Sequence, residues 1–118
     1  MVKIRLDQIR CFASARESEF VRRMVLHLTE DFSGDCARQG LKQDHQLETF
    51  VREQMVNARL HGIESGRDLK TYIECAAVYG QGFDRDQKLG WTTTVLRRSD
   101  LTGGAKADIL HEHLIFRD

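Results

Sequence analysis

The sequence predicts an all-α fold: a single compact bundle of four to five helices that spans residues 1–118 as one domain. Apolar residues recur every three or four positions, as they do along the buried face of a helix. No segment longer than four residues alternates strictly between apolar and polar residues, which is the pattern of a half-buried strand. The chain has nine glycines and no proline, so glycines separate the predicted helices. A chain of 118 residues is long enough for one independent core.

The first predicted helix runs from about Asp7 to Phe32. The sequence SGDC at residues 33–36 is expected to end it, because glycine and serine interrupt helical patterns. The width of the apolar stripe indicates contact with several neighbouring helices. The stripe contains Ile9, Phe12, Ala13, Phe20, Met24 and Leu28, with Val21, Val25 and Phe32 beside it.

The second predicted helix runs from about Asp44 to His61, and Gly62 is expected to follow it in the left-handed conformation. A third helix is predicted to begin after Ser65 as its N-cap, with Asp68 in position to complete a capping box. Gly80 should end it. The predicted buried residues are Leu47, Phe50, Val51, Met55 and Ala58 in the second helix, and Leu69, Tyr72, Ile73, Ala76 and Ala77 in the third.

Two shorter helices complete the predicted bundle. The fourth begins near Trp91 and turns Val95 and Leu96 inward. The fifth runs from about Ala105 to Phe116, and its apolar residues are Ile109, Leu110, Leu114 and Phe116.

Composition excludes several classes of function. The chain has 18 basic and 18 acidic residues, whereas nucleic-acid binding depends on a basic excess, so we expect no nucleic-acid partner. No apolar run approaches the roughly 20 residues that span a bilayer, so we expect no membrane partner. The chain opens without the apolar run of a signal peptide. Cys11, Cys36 and Cys75 are widely spaced and form no CxxC motif, which predicts reduced thiols and a cytoplasmic protein.

The segment DRD at residues 84–86 superficially resembles a calcium-binding loop. An EF-hand needs oxygen ligands at positions 1, 3 and 5, glycine at 6 and glutamate at 12. Counted from Asp84, the last three of these positions hold Lys88, Leu89 and Val95. The sequence therefore predicts a turn in which aspartate accepts backbone N–H bonds, rather than a metal site.

Other apparent motifs also fail on spacing. His111 and His113 are two residues apart, about 200° around a helix, and cannot bind one zinc ion together. His113 is expected to be half-buried beside Leu110 and Leu114, with His111 outside. GGAK at residues 103–106 lacks the spacing of a phosphate-binding loop. Cys75 is predicted to be a small core residue. The isolated histidines His27, His45 and His61 suggest surface or boundary positions. We therefore predict no metal, no cofactor and no enzymatic activity.

Tyr72, Tyr79, Phe83 and Trp91 lie within a stretch of 20 residues and are expected to form one aromatic cluster. Two interpretations stay open. The cluster could be core and corner packing, or Phe83 or Trp91 could be partly exposed as an anchor for a protein partner, since aromatic residues dominate binding hot spots.

The run HGIESGRDLKTYIECAAVYGQGFDRDQKLGW, His61 to Trp91, resembles a family of small helical proteins from type VI secretion effector gene clusters. The shared pattern is HGI, a Tyr-Ile helix, Gly-x-x-Phe-Asp-x-Asp and a following Trp. The first predicted helix contains FVRRMVLHLTEDF, which is similar to a helix of the same family. The matching residues of the pattern are His61, Gly62, Ile63, Tyr72, Ile73, Gly80, Phe83, Asp84, Asp86 and Trp91.

The resemblance implies a non-enzymatic co-chaperone or adaptor that binds the larger adaptor-chaperone of a secreted effector. A homodimer would be unsurprising for a small domain of this kind. The alternatives are an immunity protein that binds the toxin itself and a small helical regulatory DNA-binding domain. The residues expected to contact the protein partner are Tyr79, Phe83, Asp84, Asp86 and Trp91.

Overall fold

The computed structural model describes the backbone of residues 2–116 and the side chains of residues 15–116. Within that part of the chain there is no strand, and the all-α prediction is confirmed. Six α-helices are present: α1 (Val2–Asp31), α2 (Ser33–Arg38), α3 (Asp44–Leu60), α4 (Gly66–Tyr79), α5 (Gly90–Leu96) and α6 (Gly103–Ile115). Two 3₁₀ turns, Phe83–Arg85 and Gln87–Leu89, lie between α4 and α5.

Helix α4 is the centre of the fold. It packs against α1, α2, α3 and α6, and among the side chains of residues 15–116 it contributes the largest set that is buried. Its predicted apolar face is confirmed, and Cys75 is fully buried, as expected of a small core residue. The rest of the core comes from the predicted faces of α1 and α3 and from Cys36, Ile63, Phe83, Leu96, Leu110 and Leu114. Ile9, Cys11, Phe12 and Ala13 lie outside the described side chains.

Helix α1 ends at Asp31, just before SGDC, as predicted, but these residues then begin helix α2, which the sequence pattern did not predict. The interruption is confined to Phe32, whose backbone has φ −130° and ψ 24°. Asp35 in the first turn of α2 pairs with Arg38 one turn later, and Cys36 packs into the core. A carboxylate at the helix N-terminus and a helical ion pair both favour this short helix.

The ends of α3 and α4 follow the predicted local signals. Gly62 has φ 81°, Gly62 N donates to Arg59 O at 3.0 Å, and Ile63 N donates to Ala58 O at 3.1 Å. These two bonds form the Schellman motif, and Ile63 and Ala58 are both fully buried. Ser65 is the N-cap of α4, since its hydroxyl accepts a bond from Asp68 N at 3.3 Å.

Helix α6 begins in close contact with the end of α3. A Cβ atom on Gly103 would clash with the carbonyl group of Gly62, so glycine is required there. The buried ammonium group of Lys106 donates to the carbonyl oxygens of His61 at 3.0 Å and Leu96 at 2.8 Å. These carbonyls end α3 and α5, where the helix dipole is negative. The segment GGAK thus joins three helix ends.

One expectation for α6 is wrong: Phe116, predicted on the apolar side, is 79% exposed and lies just after the last turn. Among the described residues, no helix is both long and apolar enough to cross a membrane.

Candidate functional site

The chain turns sharply between α4 and α5. Gly80 and Gly82 have φ of 106° and 81°, a region that glycine occupies without steric cost. The turn carries Phe83 and Asp84 back onto the end of α4, and this segment contains most of the residues predicted to bind a partner.

Phe83 lies in the core rather than at the surface. Its side chain is 1% exposed. The ring centroid is 4.9 Å from that of Tyr72 and 6.4 Å from that of Tyr79. Of the two interpretations left open for Phe83, the structure supports core packing.

Asp84 is also largely buried, and its carboxylate does not cap the turn as expected. Its Oδ2 lies 3.0 Å from Nε2 of His61, while Arg85 approaches the other oxygen at 3.8 Å. His61 is therefore not isolated, because it ties the end of α3 to the turn. The predicted aspartate turn is formed by Asp86, whose Oδ1 accepts a bond from Lys88 N at 2.9 Å.

Two threonines of α5 hold the turn from the other side. The hydroxyl of Thr92 lies 2.6 Å from the carbonyl oxygen of Phe83 and 2.7 Å from that of Leu89. The hydroxyl of Thr93 donates to the carbonyl oxygen of Asp84 at 3.0 Å. Thr92 is completely buried. The sequence did not predict either of these contacts, because nothing in the run WTTTV indicates which carbonyl groups the hydroxyls of Thr92 and Thr93 will meet.

The other half of the aromatic cluster reaches the surface. Trp91 is half-buried, and its ring stacks on that of His113 with centroids 3.6 Å apart and planes 11° apart. Tyr79 meets Trp91 edge to face at 5.8 Å, and its hydroxyl donates to the carbonyl oxygen of His113 at 3.4 Å. His113 is exposed, so the prediction that it packs half-buried beside Leu110 and Leu114 is wrong.

Tyr79, His113 and Phe116 line a groove of about 270 Å³ together with Glu112. We refer to Tyr79, Trp91, His113 and Phe116 as the exposed aromatic surface. A larger groove of about 540 Å³ lies between α1 and α3. Its exposed apolar residue is Leu26, and its walls include Arg22 and Arg52, which pair with glutamates of their own helices.

A second histidine lies between two carboxylates. Nδ1 of His27 is 3.1 Å from Asp31 on the same helix, and Nε2 is 2.7 Å from Glu74 on α4. His27 is thus another residue that sequence reasoning treated as isolated and that joins two helices. Spacing along the chain carried no signal for this contact, because Glu74 is 47 residues away.

The environments of the reactive side chains in the described residues are typical of a protein core rather than of a catalytic site. Within residues 15–116, no three His, Cys, Asp or Glu side chains converge as metal ligands. Burial, followed by the charge of Asp35, raises the pKa of the Cys36 thiol. Burial, followed by the charge of Asp84, raises the pKa of the Tyr72 phenol. The Tyr72 hydroxyl has no hydrogen-bond partner among the described residues.

No protein-family model, curated protein or solved structure matches this chain. The similarity of residues 61–91 to proteins of type VI secretion clusters accordingly stays a prediction.

Proposed function

We propose that the chain is a non-enzymatic co-chaperone that acts in the cytoplasm and binds the adaptor-chaperone of a type VI secretion effector. The proposal combines the resemblance of residues 61–91 with one observation, the exposed aromatic surface. The co-chaperone would keep the adaptor in a loading-competent state until the effector or the secretion spike displaces the co-chaperone.

The exposed aromatic surface has the composition of a binding hot spot. Aromatic side chains are enriched in such sites because they bury a large apolar area with few rotatable bonds. Phe116 is 79% exposed, and the Trp91–His113 stack lies beside it across the groove. The ring contacts and the Tyr79 hydrogen bond hold Tyr79, Trp91 and His113 in place before a partner arrives, which lowers the entropic cost of binding.

The residues predicted to contact the partner divide into two groups. Tyr79 and Trp91 are half-buried and belong to the exposed aromatic surface. Phe83 and Asp84 are buried and Asp86 stabilises the turn, so these three position α5 rather than anchor a partner. Direct contact is therefore proposed for Tyr79 and Trp91, with His113 and Phe116 added.

Co-purification with the adaptor-chaperone encoded in the same gene cluster tests the proposal. The key variant is Phe116→Ser, because truncation of an exposed ring leaves the core intact. We expect it to weaken the complex by at least about 2 kcal/mol, a typical hot-spot effect, at an unchanged melting temperature. Trp91→Ala should weaken binding similarly, with its stability measured in parallel.

Leu26→Ser is the matched control, because Leu26 is 50% exposed and lines the other groove. It should leave the complex intact. Loss of binding in Leu26→Ser but not in Phe116→Ser would reject the exposed aromatic surface as the interface. Failure of the wild-type chain to co-purify with the adaptor, together with protection of cells that express the toxin alone, would identify an immunity protein instead.

A further inference from the structure

The groove beside the exposed aromatic surface contains one carboxylate among three rings. Glu112 lines it together with Tyr79, His113 and Phe116. From the size, the aromatic lining and the charge of this groove, we propose that the groove receives a basic side chain, preferably arginine, from a protein partner. This inference rests on the proposed protein-binding function and specifies the chemistry of the contact.

Several exposed carboxylates of the protein are already paired with a cation of the chain. Glu19, Glu48 and Asp100 each pair with an arginine four or fewer residues away. Glu112 belongs to none of the ion pairs formed among residues 15–116. Its carboxylate is therefore available to pair with a cation from outside.

The end of α6 adds to the negative potential of the groove. Glu112, His113 and Phe116 lie in or just after its last turn. The C-terminal end of a helix carries a partial negative charge from its aligned peptide dipoles, which attracts cations and repels anions. The same region thus combines a full negative charge with a helix end of the same sign.

The rings favour the same kind of ligand. A cation is attracted to the face of an aromatic ring, and a planar guanidinium group can also stack on it. Tyr79 and His113 are held by their contacts with Trp91 and by the bond from the Tyr79 hydroxyl to the His113 carbonyl. A volume of about 270 Å³ suits a single long side chain. The groove is therefore suited to a guanidinium group between rings, paired with Glu112.

Fluorescence of the protein provides a direct assay, because Trp91 is the only tryptophan and stacks on His113 at the groove. The full chain is titrated with acetyl-Gly-Arg-Gly-amide and with the same peptide carrying citrulline, which has nearly the same shape without the charge. We expect the arginine peptide to change the emission and to bind about tenfold more tightly than the citrulline peptide.

Glu112→Gln should weaken binding of the arginine peptide by up to about fivefold, the effect of losing one exposed ion pair, and leave the melting temperature unchanged. Glu53→Gln is the matched control, since Glu53 is an exposed helical glutamate on α3, and it should bind like the wild type. Equal binding of the two peptides, no binding of either, or unchanged binding in Glu112→Gln would overturn the inference.

The adaptor experiment separates this inference from the proposed function. An adaptor complex that Glu112→Gln leaves fully intact contradicts the basic side-chain contact alone. If the arginine peptide binds through Glu112 while the adaptor does not co-purify, the groove is supported and the choice of adaptor is rejected.

Discussion

The two halves of the aromatic cluster show how similar residues serve different purposes. Tyr72 and Phe83 are at most 1% exposed, whereas Trp91 is half-buried and its stacking partner His113 is exposed. Tyr79 contacts both halves, with ring distances of 6.4 Å to Phe83 and 5.8 Å to Trp91. Aromatic identity and closeness in sequence therefore do not decide whether a ring belongs to the core or to a surface.

The difference lies in what surrounds each half. The backbone of Phe83 and Asp84 accepts bonds from Thr92 and Thr93, and the Asp84 carboxylate contacts His61. The exposed half is held mainly by ring contacts and the Tyr79 hydroxyl. We expect substitutions in the interior half to act on stability and substitutions in the exposed half to act on binding.

The largest effect is expected from Phe83→Ala. Removal of a fully buried phenylalanine typically costs about 3–5 kcal/mol, because apolar burial is lost and a cavity is left. Urea unfolding of the variant should show this decrease in the free energy of unfolding. Phe116→Ala is the matched control, since the same truncation at an exposed ring should change stability by no more than about 0.5 kcal/mol. Equal losses in the two variants would contradict the division into interior and exposed halves.

Local signals in the sequence were sufficient for much of the fold. Gly62 and Ser65 identified the end of α3 and the start of α4, because caps depend on a few neighbouring residues. The pattern of apolar residues likewise identified the buried face of α4. Phe32 shows the limit of such signals, since this single non-helical residue separates α1 from α2, a helix that the sequence pattern did not predict.

The candidate site depended on contacts that the sequence does not encode locally. His61 meets Asp84 across 23 residues, and Lys106 reaches the His61 carbonyl across 45 residues. The stack of Trp91 on His113 joins α5 to α6. Such contacts arise only when helices pack, and therefore the sequence predicted an aromatic cluster without showing which rings face outward.

A smaller effect is expected from Thr92→Val, which keeps the shape of the side chain but removes its hydroxyl. The carbonyl oxygens of Phe83 and Leu89 would lose a buried donor, and an unpaired buried polar group costs about 1–3 kcal/mol. Thr94→Val is the matched control, because the Thr94 hydroxyl is exposed and donates within its own helix to Gly90 O at 3.0 Å. Urea unfolding of both variants should show a clear loss only for Thr92→Val. A loss of the same size in Thr94→Val would mean that helix propensity, rather than the buried hydrogen bond, sets the stability of the turn.

The smallest effect is expected from Tyr72→Phe, which leaves the interior ring in place. The hydroxyl is buried without a partner among the described residues, so its removal should leave the free energy of unfolding unchanged or raise it by about 1 kcal/mol. The difference in free energy of unfolding between the wild type and Tyr72→Phe should grow at alkaline pH. Burial, followed by the charge of Asp84, raises the pKa of Tyr72 above its ordinary value of 10.0.

The unfolded chain consequently releases the Tyr72 proton at a lower pH than the folded chain. The contribution of Tyr72 to stability is present below pH 10.0 and declines as the pH rises above that value. Tyr72→Phe should lack this loss of stability at alkaline pH. Tyr79→Phe, which changes a ring at the boundary between the two halves, should still show it. Urea unfolding at neutral and alkaline pH measures both differences. A substantial loss at neutral pH in Tyr72→Phe would show that the hydroxyl does form a stabilising bond, and the interior half would then depend on polar contacts of its side chains as well as on packing.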